Sequence, residues 1–133
     1  MKLSDIEGIG PAFARKLKKV GIRSVEGLLK AGATPKARKR IAKDAGFQAR
    51  TILEWVNRAD LYRIKGVGRQ YSDLLEKSGV DTVVELAKRD PAKLFVAMGA
   101  VNLRKNLVNQ MPTKKRVGAW IRHAKRLPRI VRY

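Results

Sequence analysis

Apolar residues recur along the chain at intervals of three and four, and this spacing predicts helices almost throughout. Ile52, Trp55, Val56 and Ala59 stand at i, i+3, i+4 and i+7, which lays one apolar stripe along a helix. Val117, Trp120, Ile121 and Ala124 repeat that stripe. Local punctuation sets the other boundaries. Pro11 suits the first position of a helix running to Val20, and Gly21 suits its left-handed exit. Ser24 starts a second helix that stops near Gly32. Thr34-Pro35 opens a third, rich in Lys and Arg, which ends at Gly46. Thr82 with Glu85 reads as a capping box, Asp90-Pro91 opens a further helix, and Thr113 caps the helix that carries Trp120. Only Ile130-Val131-Arg132-Tyr133 has the composition to extend. The expected fold class is all-α.

The pattern is also written twice. Ile6-Glu7-Gly8-Ile9-Gly10 returns as Ile64-Lys65-Gly66-Val67-Gly68, 58 residues on. The same shift carries Phe13 to Tyr71, Leu17 to Leu75, Gly21 to Gly79 and Ser24 to Thr82. The Trp stripe repeats with a shift of 65, so the second copy holds seven extra residues between its halves. Two tandem units of several short helices each are expected, 1–59 and 60–133, packed together. The second ends in a basic helix and tail.

Charge changes the picture most. The 133 residues hold 31 Lys plus Arg against 11 Asp plus Glu, a net charge of +20. The last acid is Asp90, and residues 91–133 carry 11 basic residues and no acid. With 44% hydrophobic residues the chain can bury a core, so it is not a disordered polybasic tail. Its self-repulsion favours a polyanionic partner. No apolar run approaches the roughly 20 residues of a membrane span, and no secretory leader is read at the start, so a cytoplasmic protein without membrane contact is expected. There is no cysteine and a single histidine, His123, which argues against disulfides, metal sites and a catalytic dyad.

The repeated turn supplies the chemistry. Two glycines around one apolar residue allow a tight turn with positive φ. Ile9 or Val67 would plug that turn into the core. Backbone N–H groups at the following helix start would then face outward, where the helix dipole favours a phosphate. Gly8, Ile9 and Gly10 form the first such turn, and Gly66, Val67 and Gly68 the second. Glu7 opposes a phosphate at the first, where Arg15, Lys16, Lys18 and Lys19 compensate. Lys65 and Arg69 flank the second, which has the better local electrostatics. Backbone contacts of this kind position a protein without reading sequence.

The stretches Ile6 to Ile22 and Ile64 to Val80 resemble the helix-hairpin-helix motif, an element that binds DNA without sequence specificity in repair, recombination and replication proteins. The chain as a whole resembles a family of small bacterial and archaeal proteins of unknown function, built of tandem helix-hairpin-helix units. The matching pieces are Ile6-Glu7-Gly8-Ile9-Gly10-Pro11, Ala31-Gly32-Ala33-Thr34-Pro35, Ile52-Leu53-Glu54-Trp55-Val56 and Leu127-Pro128-Arg129. In compact paired-hairpin domains the two hairpins lie about half as far apart in sequence as the 58 residues found here, so a symmetric grip on one duplex is not implied. Helix-hairpin-helix glycosylases suggest an enzyme, but Gln70 stands where their lysine nucleophile belongs and Asp81 follows the hairpin too closely. No catalytic residue and no cofactor is expected.

Other basic clusters widen the expected footprint. Lys36, Lys39, Arg40 and Lys43 share one helix face, with Arg38 on the same helix. Lys114, Lys115 and Arg116 precede the second Trp stripe, and Arg122, Lys125, Arg126, Arg129 and Arg132 follow. Trp55 and Trp120 read as core, as do Phe13, Tyr62 and Tyr71, which leaves no stacking platform for single strands. The expected function is nucleoid-associated, sequence-independent binding of double-stranded DNA. Structured RNA and a protein-interaction scaffold with purely structural Gly turns are the alternatives.

Overall fold

Each helix begins where a residue can satisfy or tolerate its orphan amides. The computed structural model describes residues 1–133 and is all-α, with eight α-helices, a short 3-10 turn at Leu3–Asp5 and no strand. The chain divides into two units, Met1–Asp60 with Ile130–Tyr133, and Leu61–Arg129. The last four residues thus belong to the first unit rather than to the second, where the repeat alone had placed them.

In the first unit α1 is Pro11–Lys19, α2 Val25–Ala31, α3 Pro35–Ala45 and α4 Ala49–Leu61. Ser24 Oγ accepts from the Gly27 amide at 2.9 Å and Thr34 Oγ1 from the Ala37 amide at 3.2 Å. Gly46, in the left-handed region, ends α3. The core gathers Ile6, Leu17, Leu28, Ile52 and Val56, with Trp55 buried beside them. The tail does not pair as a strand. It is held by single bonds: the Arg132 amide donates to Ala33 O at 2.8 Å, and the Tyr133 hydroxyl to Asn57 Oδ1 at 3.3 Å. Val131 is buried.

In the second unit α5 is Arg69–Lys77, α6 Val83–Ala87, α7 Pro91–Lys105 and α8 Lys114–Arg126. Helix α8 packs against α6 and α7, and α5 against α7. Leu74, Leu75, Leu86, Leu94, Met98, Val117, Trp120 and Ile121 form one core. Asp90 Oδ1 caps α7 by accepting from the Ala92 and Lys93 amides, and Thr113 Oγ1 caps α8 by accepting from Arg116 N at 3.1 Å. The capping box at α6 closes differently from the expectation. Thr82 Oγ1 accepts from Glu85 N at 3.4 Å, but Glu85 Oε2 accepts from Asp81 N at 3.5 Å instead of from Thr82. The extra residues of this copy lengthen α7 to 15 residues, against 11 in α3, and form the loop 106–112. Asn102 closes that loop through both ends of its amide, donating to Val108 O and accepting from Val108 N. Tyr71 O–H fastens it again at Gln110 O, 3.0 Å away.

Candidate functional site

The two Gly-x-Gly turns have the same backbone. Gly8 and Gly66 take φ of +95° and +91°, and the Ile9 and Val67 amides bond back to Ile6 O and Ile64 O at 3.1 Å. Ile9 and Val67 are buried and anchor each turn in its own core, so they offer a ligand only their backbone. The second glycine departs from the sequence argument. Gly10 and Gly68 have φ of −88° and −114°, extended backbone open to any residue. A Cβ built on either meets nothing within 4 Å. Neither backbone strain nor internal packing asks for glycine there.

Helix starts sharpen this point. Helices α2, α3, α6, α7 and α8 each begin with a Ser, Thr or Asp whose side chain accepts a backbone N–H. Helices α1 and α5, the two that follow the turns, begin at Gly10 and Gly68 with no side-chain cap. A first turn without a side-chain cap can take its acceptors from water or a ligand. Both helices have nine residues, and the first also begins with Pro11, which removes one donor that α5 keeps.

Surroundings distinguish the turns. In the second unit a pocket of about 370 Å³ opens beside the turn, lined by Lys65, Gly66, Arg116, Ala119, Trp120, His123 and Arg126. The Arg116 guanidinium lies over the rings of Tyr71 and Trp120, 5.3 and 5.7 Å from their centroids, and its Nη2 stands 3.5 Å from where a Gly66 Cβ would be. The Lys65 amide donates to His123 Nδ1 at 3.3 Å, fixing the imidazole against the turn. In the first unit the aromatic cluster is denser. Phe13, Phe47 and Trp55 meet with centroids 5.0 to 5.8 Å apart, and Lys16 Nζ sits 5.4 Å from the Phe47 centroid. Phe13 is nonetheless 41% exposed, more than a core reading allows.

Of the residues singled out in the sequence, the second unit brings Lys65, Gly66 and Arg116 together at one pocket. Lys114 and Lys115 are exposed at the start of the same helix as Arg116, and Arg69 is exposed at the start of α5. In the first unit Arg15, Lys16 and Lys19 are exposed on α1, and Lys36, Lys39 and Arg40 on α3. Arg38 is not part of that surface. It is 4% exposed, and its Nη1 and Nη2 donate to Gly32 O at 2.9 Å and Arg132 O at 2.7 Å. Burial pulls its guanidinium below the usual arginine range, an effect that Tyr133 opposes.

Sequence reasoning passed over His123 as a member of the site and placed Arg126 in the wider basic footprint rather than beside the turn. The signal was present, since 116, 119, 120, 123 and 126 fall on one side of a helix of 3.6 residues per turn. No group of three or more His, Asp or Glu side chains is placed to hold a metal ion, and no helix is long and apolar enough to cross a membrane.

No curated protein and no solved structure matches the chain. One family spans the 3-10 turn's exit through the end of α8: the chain belongs to the family described as Domain of unknown function (DUF4332), which matches residues 7–127.

Proposed function

We propose that this protein binds double-stranded DNA through its phosphate backbone, without sequence preference, in an architectural, packaging or accessory role at the nucleoid, and that it is not an enzyme. The observation that carries the reading is the contrast in helix starts. Five helices begin with a Ser, Thr or Asp side-chain cap, while the two behind the Gly-x-Gly turns have no side-chain cap, and a ligand can supply the acceptor. A phosphate oxygen is such an acceptor, and the dipole of the helix favours its charge. Glycine at positions 10 and 68 is then required by the approach of a backbone from outside, because no atom of the protein fills the space beside either. The resemblance of both turns to helix-hairpin-helix elements supports the same reading. The net charge of +20 supplies long-range attraction for any nucleic acid.

The test is fluorescence anisotropy on a short random-sequence DNA duplex across a salt series, with matched duplex RNA in parallel. Each phosphate contact contributes about −0.9 to the log–log salt slope, so a slope of roughly −5 or steeper, equal among unrelated sequences, is the expected result. Lys65→Glu with Arg69→Glu should weaken binding and flatten the slope. Preference for RNA would transfer the reading to structured RNA, where groove shape and the 2′-hydroxyl decide. Weak binding to both with a shallow slope would leave a protein-interaction scaffold.

A further inference from the structure

The pocket beside the second turn is shaped for more than an outside contact with a duplex. Its volume of about 370 Å³ falls within the range of small-ligand sites, which begin near 300 Å³, and far exceeds what an inorganic anion fills. Its lining divides by chemistry. Lys65, Arg116 and Arg126 bring three basic side chains and no carboxylate lines the pocket to neutralise them. Ala119 and Trp120 give the lining an apolar part. A ligand that satisfies both parts carries a compact, multiply charged anion on an apolar, partly aromatic body.

One of the cations is also positioned before any ligand arrives. The Arg116 guanidinium lies within cation–π distance of Tyr71 and Trp120, which favours its place at the pocket and leaves N–H groups for an acceptor. A planar fork of that kind matches the oxygens of a phosphate, and prior ordering lowers the entropy lost on binding. His123 is fixed by the bond its Nδ1 accepts from the Lys65 amide, which leaves Nε2 as the ring's free nitrogen.

The first unit lacks these groups. Following the internal repeat, Lys65, Arg116, Ala119 and Arg126 correspond to Glu7, Thr51, Glu54 and Leu61. Three cations are replaced by an acid, a hydroxyl and an apolar residue, and a second acid enters where the apolar wall should be. The buried Trp and the Gly turn are kept in both copies, and the fourth basic position of the lining, His123, corresponds to Arg58. A requirement of the turn alone would have kept the charges in both copies.

We infer that this pocket is a binding site for a nucleoside monophosphate, free or as the terminal nucleotide of a strand. Lys65, Arg116 and Arg126 hold the phosphate, and the sugar and base lie against Ala119 and Trp120. A terminal phosphate carries close to two negative charges near neutral pH, against one for a phosphodiester, which suits three unneutralised cations. The inference goes beyond duplex binding and does not require it, since the free nucleotide can occupy the pocket alone.

Titration calorimetry on the full chain at physiological ionic strength decides it, with adenosine 5′-monophosphate as probe and adenosine and inorganic phosphate as comparisons. The expected result is one site per chain, with the nucleotide about tenfold or more tighter than either comparison. Arg126→Gln and Arg116→Lys should each weaken it by about tenfold, the loss of one charge-assisted hydrogen bond. Arg126 is exposed, so its variant tests the pocket without disturbing the Tyr71–Trp120 stack. Arg23→Gln, a charge-matched change on the first unit, should leave binding unchanged. Equal affinity for inorganic phosphate, no saturable binding, or indifference to both pocket variants would overturn the inference. Duplexes with 5′-phosphate and 5′-hydroxyl ends then separate the two sources. A preference for the phosphorylated end that the nucleotide competes away assigns the pocket to strand ends, and equal duplex binding assigns it to the free nucleotide. Duplex binding without nucleotide binding defeats this inference alone, whereas nucleotide binding without duplex binding defeats only the function proposed above.

Discussion

Trp120 lies beneath Gly66, its indole Nε1 3.3 Å from the place a Cβ would take, and Trp55 stands in the same relation to Gly8 at 3.2 Å. The buried indole and the left-handed turn are therefore one device, present in both units. Gly66→Ala should be costly, because the position has φ of +91° and the new methyl presses on Trp120. A loss of about 1–2 kcal/mol is expected from the backbone alone. Gly68→Ala should behave differently. Its φ of −114° and open surroundings accept alanine without strain, and the entropic gain of about 0.4–1 kcal/mol is offset by the poorer N-cap, so stability should change little. If a phosphate approaches that amide, duplex affinity should still fall severalfold. Denaturant unfolding and anisotropy on the same two variants separate the roles. A Gly68→Ala variant that binds DNA normally would remove glycine 68 from the interface.

Exchanging the charges that precede the two turns should move duplex affinity in opposite directions. Lys65→Glu places an acid next to an uncapped helix start, and Glu7→Lys removes one from the corresponding place in the first unit. The first change should weaken binding and reduce the magnitude of the salt slope by about one, and the second should increase it by a similar amount. Equal and negligible effects in a salt series would mean that neither turn faces the duplex.

Much of this was legible in the residues. Pro11, Ser24, Thr34, Asp90 and Thr113 mark helix starts because a cap is a local matter between a side chain and an amide three residues away. The turns were legible for the same reason, as was the burial of Ile9, Val67 and both Trp residues. What escaped depends on distance along the chain. Arg38 reads as one cation among several on α3, but its partners include Arg132 O, 94 residues on. The tail returns to the first unit through that bond, which no repeat could announce. The pocket at Lys65 joins a turn to α8 across 58 residues, through a His123 that looks solvated when only its own helix is considered. The role of Gly68 was misassigned for a subtler reason. Glycine in a turn suggests positive φ, yet here the backbone is extended and the space beside the glycine is open.

Stability should depend on pH through Asp81. Burial, and then the neighbouring charge of Glu76, raise its carboxyl above the ordinary value. The folded chain therefore holds this proton more tightly than the unfolded chain. The cost is full above the folded value, shrinks as pH falls from there toward the unfolded carboxylate range, and is absent below it. Asp81→Asn should raise the urea midpoint at neutral pH and have no such effect in acid. The amide keeps the side-chain volume, and the backbone bond from Asp81 N to Glu85 is unaffected. A variant equally stabilised at both pH values would show that the gain has another origin than the charge.

Arg38 should be the costliest basic residue to lose, although it touches no ligand in the function proposed here. It is 4% exposed and supplies donors to Gly32 O and Arg132 O, tying the end of α2 to the tail. Arg38→Ala leaves two carbonyls without that donor and opens a void along the side chain's stem, for a loss of about 2–4 kcal/mol. Arg38→Lys should recover little, because one ammonium cannot present two donors in a fixed fork. Neither change should alter the salt slope on duplex DNA under conditions where the chain remains folded, whereas Lys39→Gln should flatten it with stability intact. Hydrogen exchange provides the local readout. The Arg132 amide, bonded to Ala33 O at 2.8 Å, should lose protection in Arg38→Ala before the core amides of α4 do. Retained protection at Arg132 would mean that Val131 and Tyr133 hold the tail without the arginine.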